Sequence, residues 1–554
     1  MDISIPKSLL VLLKEQFPED EILNNYLKEI DRYRSYSEED STLKIDIEKI
    51  DIKYLPILAK LCRESKGVTG SYNLRVQIET FLELQNKIIT DVIVKDLKSL
   101  ATVIESYISP SINHFLFQQR EDGNWLPYLV TGVQYHAATS GYGGGRTPAF
   151  TQISLSFSIF NEARTDSISF YAHDLIKGSD VKTLLFKQGY ILETKELFDD
   201  YVKALENVRR ERKNVGKQFI GKGLGIEEGG RSWRGSDVSR LQEEGIPDKL
   251  IVDIKELKAT SYVTNSLFWK NKEKETQTSI PSPEHPYLYV FNLRDHSFYR
   301  VHINNLTPYI YNPDLRRKLI LPKAHSNLID ILVEGQTNLM EDIITGKTGG
   351  IIIAATGEPG TGKTLTAEVY SEVVEKPLYV VQSSQLGVDL ESLEGKLKEV
   401  LKRAARWKAI LLIDEADVYI HQRGNDLHQN AVVGVFLRVL EYYRGILFMT
   451  SNRGDIIDDA IMSRATAHIV YTKPGFEEKV AIFGILAEQF KFDIPLQLKE
   501  DLANRFPTIS GRDIKSLLKL AKLLHQKRNL PIDMGLFEYV APYLNIKEEQ
   551  LKRA

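Results

Sequence analysis

A chain of 554 residues is too long for one hydrophobic core, and at roughly 150 residues per domain it calls for three or four units. Its 42% hydrophobic and 27% charged residues are ordinary for globular domains, which excludes wholesale disorder and a fibrous repeat. The formal net charge of -3, from 72 basic and 75 acidic residues, leaves no global field that would mark the whole chain for nucleic acid or an anionic membrane.

The opening MDISIPKSLLVLLKEQF holds only Leu9 to Leu13 as an apolar run before Lys14 and Glu15 interrupt it. That is short of a signal-peptide core and of the ~20 residues that cross a bilayer, so a cytoplasmic protein without a membrane partner is expected. Residues 1–125 carry helix-like spacing, clearest from Leu74 to Tyr107, and are expected to form an N-terminal helical region. The one cysteine, Cys62, excludes an internal disulfide and a multi-cysteine zinc site and reads as a small buried apolar side chain.

At TQISLSFSIF the period changes to two. Ile153, Leu155, Phe157 and Ile159 alternate with Gln152, Ser154, Ser156 and Ser158, and SISFYAHDL reads as the paired strand. The preceding GYGGGRTPAF, Gly141 to Phe150, lacks the spacing of a phosphate loop and reads as a flexible connection. Next comes a charged helix, ETKELFDDYVKALENVRRERKNVGKQF, carrying Arg209, Arg210, Arg212, Lys213 and Lys217. Such a run can contact nucleic acid, but on a helix it is more often a solvated face. YLYVFNLRDHSFYRVHI then reads as a hairpin with Arg294 to Ser297 near its turn. Its His296 and His302 have neither a nearby cysteine nor HExxH spacing, and read as ordinary histidines rather than metal ligands. An α+β recognition domain is expected over 126–320.

The chemistry follows. After the apolar run Ile351 to Ala355 comes GEPGTGKT and then the helix-compatible LTAEVYSEVV, the strand, glycine loop and helix that a Walker A motif requires. Gly357, Gly360 and Gly362 let the backbone wrap phosphates, Lys363 can reach the β and γ phosphates, and Thr364 can ligate Mg²⁺. Gly357, Glu358, Pro359, Gly360, Thr361, Gly362, Lys363, Thr364 and Leu365 are therefore the candidate ATP contacts. A second apolar run, Ala409 to Ile413, ends in Asp414 and Glu415: the first a candidate Mg²⁺ ligand, the second a candidate base for the attacking water. A third, Ile446 to Ser451, ends at Asn452, which can position water or cap a turn. In IDDAIMSRA, Arg464 can serve as an arginine finger supplied across a subunit boundary, or is an ordinary solvated surface arginine.

GEPGTGKT, LLIDEAD, TSN and DDAIMSR together resemble the AAA+ ATPase core, and TISGRDIKSLL resembles its lid, with Arg512 at the sensor 2 position. The run from LGVDLESLEGK to MTSNR is particularly similar to the AAA modules of a group of uncharacterised fungal proteins with a large N-terminal domain. The resemblance implies an α/β P-loop core over 321–474 and a helical lid with a C-terminal helix over 475–554. It also implies ATP, Mg²⁺ and a homo-oligomer, commonly a hexameric ring, in which each site borrows an arginine from its neighbour.

In such a ring the loop after YVVQ would face the pore, where threading members place an aromatic residue; this chain has Leu386-Gly387-Val388. Three readings of that loop stay open: a weak grip, a ring that reshapes its partner without threading it, and simple packing. The expected function is an ATP-driven remodeller of a protein partner. A nucleic-acid-dependent AAA+ ATPase and a nucleotide-controlled scaffold are the alternatives.

Overall fold

The alternating segment is a strand paired on both sides, next to the edge of its sheet. In the computed structural model, Phe150–Ile159 pairs antiparallel with Glu162–Tyr171 in unbroken register, from Phe150 opposite Tyr171 to Ile159 opposite Glu162. Ile153, Leu155 and Ile159 are buried while Gln152 and Ser154 are not, as a strand with one core-facing side requires. The structure describes the chain apart from residues 33–41, 65–70, 83–95, 141–145, 176–179, 228–237, 255–280, 335–349, 454–456 and 547–554, and the single positions 1, 19, 72, 73, 76, 80, 81, 244, 245, 388, 442 and 545. The glycines of GYGGGRTPAF thus lie outside the described residues.

Two compact units divide the chain: Met1–Asn214 with Phe219–Pro308, and Val215–Gln218 with Tyr309–Ala554. In the first, a five-stranded sheet runs Glu162–Tyr171, Phe150–Ile159, Trp125–His136, Phe115–Gln119, Tyr190–Leu192, all antiparallel. A second sheet contains the expected hairpin, Tyr287–Asn292 against Phe298–His302, whose turn puts His296 in the left-handed region at φ 61°. His302 is buried, and burial pushes its imidazole down to about 3, so it stays neutral.

Residues 1–125 hold helices at Lys7–Gln16, Glu21–Arg32, Leu55–Glu64 and Leu97–Ile108. They also hold an antiparallel strand pair, Asp2–Pro6 with Thr42–Asp46, which helix-like spacing did not disclose because five-residue strands carry too little pattern. Cys62 packs in the core beneath this pair, and burial pushes its thiol up to about 12. The charged helix spans Lys195–Glu211. Of its basic run, Arg210 pairs with Glu211 at 3.2 Å, and Arg212 pairs with Glu284 at 2.8 Å and lies over the Phe160 ring.

In the second unit, β1 (Ile351–Gly357), β2 (Leu378–Gln382), β3 (Ile410–Asp414), β4 (Ile446–Ser451) and β5 (Ala467–Tyr471) form one parallel sheet in the order β2-β3-β4-β1-β5. The central strands read as continuous apolar runs because helices cover both faces of a parallel sheet. The helices that matter for the site are α1 (Lys363–Val373), α2 (Leu390–Trp407), α3 (Leu427–Leu440) and α4 (Asp459–Arg464). Four more follow: α5 (Phe476–Gln489), α6 (Leu496–Arg505), α7 (Gly511–Arg528) and α8 (Met534–Val540). These last four close a core of their own around Phe483, Phe506, Leu517 and Phe537.

Candidate nucleotide-binding site

The glycine loop begins where β1 leaves the sheet. Gly357 stands opposite Tyr471 in the β1–β5 register and has φ 139°; a Cβ there would lie 2.0 Å from the Tyr471 carbonyl oxygen. Only glycine fits that approach. Gly360 and Gly362 also have positive φ, 81° and 103°, and Gly362 caps α1, so the loop runs directly into a helix N-terminus. That is the geometry in which backbone N–H groups and the helix dipole favour an anion. Lys363 Nζ donates to the carbonyls of Gly357 at 2.7 Å and Glu358 at 2.8 Å, which holds the ammonium inside the loop. Thr361 Oγ1 closes the same turn on the Glu358 carbonyl at 2.8 Å, and the Glu358 carboxylate pairs with Lys473 at 2.7 Å. Pro359 and Leu365 are exposed at the loop's two ends.

β3 delivers the carboxylates. Thr364 Oγ1, on the first turn of α1, donates to Asp414 Oδ1 at 3.0 Å. One hydroxyl and one carboxylate at the foot of a phosphate loop suit Mg²⁺, which keeps several waters and takes its other ligands from phosphate oxygens. Glu415 follows in the left-handed region at φ 54°, with its side chain exposed.

Burial pushes the Lys363 ammonium below its ordinary value, with Arg512 acting in the same direction and Asp414 and Asp417 opposing. The contribution of Arg512 arises because the start of α7 lies on the loop: the Arg512 N–H donates to the Gly360 carbonyl at 3.3 Å. Ser510 caps α7 and exchanges hydrogen bonds with Asp513, so the approach is held by a capping box. A Cβ at Gly360 would come within 2.8 Å of Arg512 Cβ and Ser510 Oγ.

Thr450 escaped the sequence reading. It is 2% exposed, donates to Asp414 Oδ1 at 2.5 Å and accepts the Glu415 N–H at 3.0 Å. The pairing of Ile413 with Met449 in the β3–β4 register places it beside Asp414. A polar residue at the end of the strand next to LLIDE is the signal that could have found it. Asn452, one residue beyond β4, is exposed, and its neighbour Ser451 hydrogen-bonds Asp417. Arg464 ends α4, exposed, with Nη1 on the Ala460 carbonyl at 3.2 Å; this hydrogen bond stays within its own helix. The helix start is clamped instead: Asp458 caps Ala460 at 3.0 Å and receives Arg423 through Nε at 2.8 Å and Nη2 at 3.1 Å.

For Leu386 the pore-facing reading needs correction, and the packing reading fits. Leu386 is 1% exposed and faces the core. The Tyr419 hydroxyl sits 2.7 Å from both the Ser383 and Gly387 carbonyls, holding both ends of the short helix Ser383–Leu386 and turning Leu386 inward. Val388 lies outside the described residues.

Residues 353–473 match the family described as ATPase family associated with various cellular activities (AAA). Over 189 residues the chain is 30% identical to the ATP-dependent zinc metalloprotease FtsH of Malacoplasma penetrans (strain HF-2), covering 31% of this chain and 22% of that protein. It is 28% identical over 189 residues to the FtsH of Lactiplantibacillus plantarum, covering 31% of this chain and 25% of the relative. The chain thus spans about a quarter of the length of these relatives. A solved chain from the E. coli MS115-1 HORMA:CdnC:Trip13 complex is similar at 16% identity and a TM-score of 0.34, covering 43% of this chain and 92% of that one. The chain carries an AAA ATPase domain with an α/β P-loop core, related at a distance to those of the FtsH proteins.

Proposed function

We propose that the chain hydrolyses ATP at this site, as a Mg²⁺-dependent homo-oligomeric ring, and uses the cycle to remodel a protein partner captured by the region before the ATPase domain. The observation that carries the reading is the meeting of Thr364 and Asp414 at 3.0 Å beneath a loop that already encloses Lys363, with Glu415 next in the chain.

In this reading each residue has a role. Backbone N–H groups of Gly360 to Thr364 hold the phosphates at the α1 N-terminus, and Lys363 exchanges its carbonyl partners for phosphate oxygens. Thr364 and Asp414 would hold Mg²⁺, whose charge offsets that developing on the transferred phosphoryl group. Glu415 takes the proton of the attacking water, and Asn452 orients that water. Arg512 brings the C-terminal helices onto the loop as a lid. The exposure of Arg464 and its bond within its own helix support its acting on a neighbouring subunit's site.

Phosphate release and nucleotide binding, measured on the full chain, test the reading. Glu415→Gln should bind ATP as the unchanged protein does but lose turnover by roughly 10² to 10⁴-fold, the range for removing a general base. Lys363→Ala should weaken binding itself. Steady-state hydrolysis by Glu415→Gln close to that of the unchanged protein would refute the assignment. Sedimentation of Glu415→Gln with ATP reads the assembly, and a monomer at all concentrations would refute the ring.

A further inference from the structure

The candidate metal ligand and the candidate base are consecutive, and a single residue on the adjacent strand holds the stretch that bears them. Thr450 reaches Asp414 Oδ1 with its hydroxyl proton, at 2.5 Å, and accepts the Glu415 N–H on the same oxygen, at 3.0 Å. Its carbonyl accepts the Ala416 N–H at 2.8 Å. Three consecutive residues are therefore gripped by one, and the middle one has a left-handed backbone, φ 54°, that a non-glycine residue adopts only where its surroundings hold it. Thr450 is 2% exposed, so water does not replace its hydroxyl.

We propose that Thr450 is a positioning residue for hydrolysis: it sets the direction of Asp414 and the backbone angle from which Glu415 projects, without touching nucleotide. The inference rests on the proposed ATPase reading and adds a residue to it. The physical basis is a division of labour on Asp414. Both Thr364 and Thr450 now donate to the same Oδ1. Thr364 would be the one to give up this hydrogen bond if it held Mg²⁺, because a hydroxyl ligand offers a lone pair. From that point Thr450 is the side-chain donor left on Oδ1. It holds Asp414 Oδ1 against the neighbouring strand and so sets the direction of the carboxylate. Its acceptor half keeps the Glu415 amide from relaxing into an ordinary extended or helical conformation, which would swing the carboxylate away from the water. A displacement of about 1 Å in a reacting group costs up to about 10²-fold in rate.

The test compares Thr450→Val, which keeps the shape and loses the hydroxyl, with Thr450→Ser, which keeps the hydroxyl. For Thr450→Val we expect ATP affinity and KM within about twofold of the unchanged protein and a kcat lower by about 10²-fold. Independently of turnover, hydrogen exchange in the segment 411–417 should speed up, because the Glu415 amide has lost its acceptor. Thr450→Ser should recover most of kcat and the slow exchange.

Unchanged kcat in Thr450→Val, or unchanged exchange at 411–417, overturns the inference. So does a matching loss in ATP affinity, which would mean a general collapse of the site. If Thr450→Val does not fold, Thr450→Ala is read in the same way. If neither hydroxyl-free variant folds while Thr450→Ser does, Thr450 is structural and the positioning role is wrong. Failure of the ATPase reading is distinguishable, since it would show as unchanged hydrolysis in Lys363→Ala and Glu415→Gln measured alongside.

Discussion

Replacing Gly357 by alanine isolates a constraint that the loop places on the sheet. Two costs are readable from the structure. The backbone at φ 139° is one that side chains rarely adopt, at about 1–3 kcal/mol. The added Cβ would also lie 2.0 Å from the Tyr471 carbonyl oxygen and 2.9 Å from its carbon. That obstacle is backbone, not a side chain that can rotate, and the β1–β5 pairing fixes it; forced repacking of this kind costs about 1–3 kcal/mol more.

Gly362→Ala is the internal control. Its φ is 103°, yet no heavy atom lies within 4 Å of the added Cβ, so it carries the conformational cost alone. The expected losses are therefore about 2–6 kcal/mol for Gly357→Ala and about 1–3 for Gly362→Ala. For a unit of this size each kcal/mol is worth about 2–4 °C, which predicts midpoints lower by about 12 °C and about 6 °C. Scanning calorimetry reads them, following the transition that nucleotide raises in the unchanged protein. Equal shifts in the two variants, or a Gly357→Ala midpoint matching the unchanged protein, would refute the reasoning.

Arg464→Ala should bind ATP but hydrolyse it slowly; mixing it with Lys363→Ala subunits, which supply an intact finger, should restore activity, and no rescue in demonstrably mixed assemblies would count against a role in trans. Leu386→Ala should destabilise the ATPase unit by about 2–5 kcal/mol, as buried leucines do, and a denaturation midpoint within error of the unchanged protein would show that Leu386 is not core. The Arg423 hydrogen bond holds the Asp458 carboxyl below its ordinary value, which is near 4. A lowered value means that this pair stabilises the fold above about pH 4 and that the contribution fades as pH falls through the folded value. Denaturation of Asp458→Asn and the unchanged protein should therefore differ at pH 7, with the gap closing only as pH falls past the ordinary carboxylate value and through the lower folded one; a pH-independent gap would contradict the assignment.

Elements written in contiguous residues were legible without coordinates. The strand, glycine loop and helix around GEPGTGKT and the strand that ends in LLIDE each show within a few positions, because an apolar run, its turn residues and the helix-compatible run after them form a local pattern. The strand pair around TQISLSFSIF and the hairpin around Arg294 to Ser297 were equally readable, since period-two alternation belongs to the local chain. What only the tertiary structure decided depends on distant residues meeting. Thr450 reaches Asp414 because β3 and β4 run parallel in one register; FMTSN shows a polar strand end, but which strand lies beside it is decided by the sheet. Arg512 approaches Gly360 through the packing of helices more than a hundred positions along the chain. For Leu386 the resemblance left a pore-facing role and simple packing open; its burial, with the Tyr419 hydroxyl on the Ser383 and Gly387 carbonyls, favours packing. Side-chain direction follows from such long-range contacts, and local sequence sets only the range of conformations among which they choose.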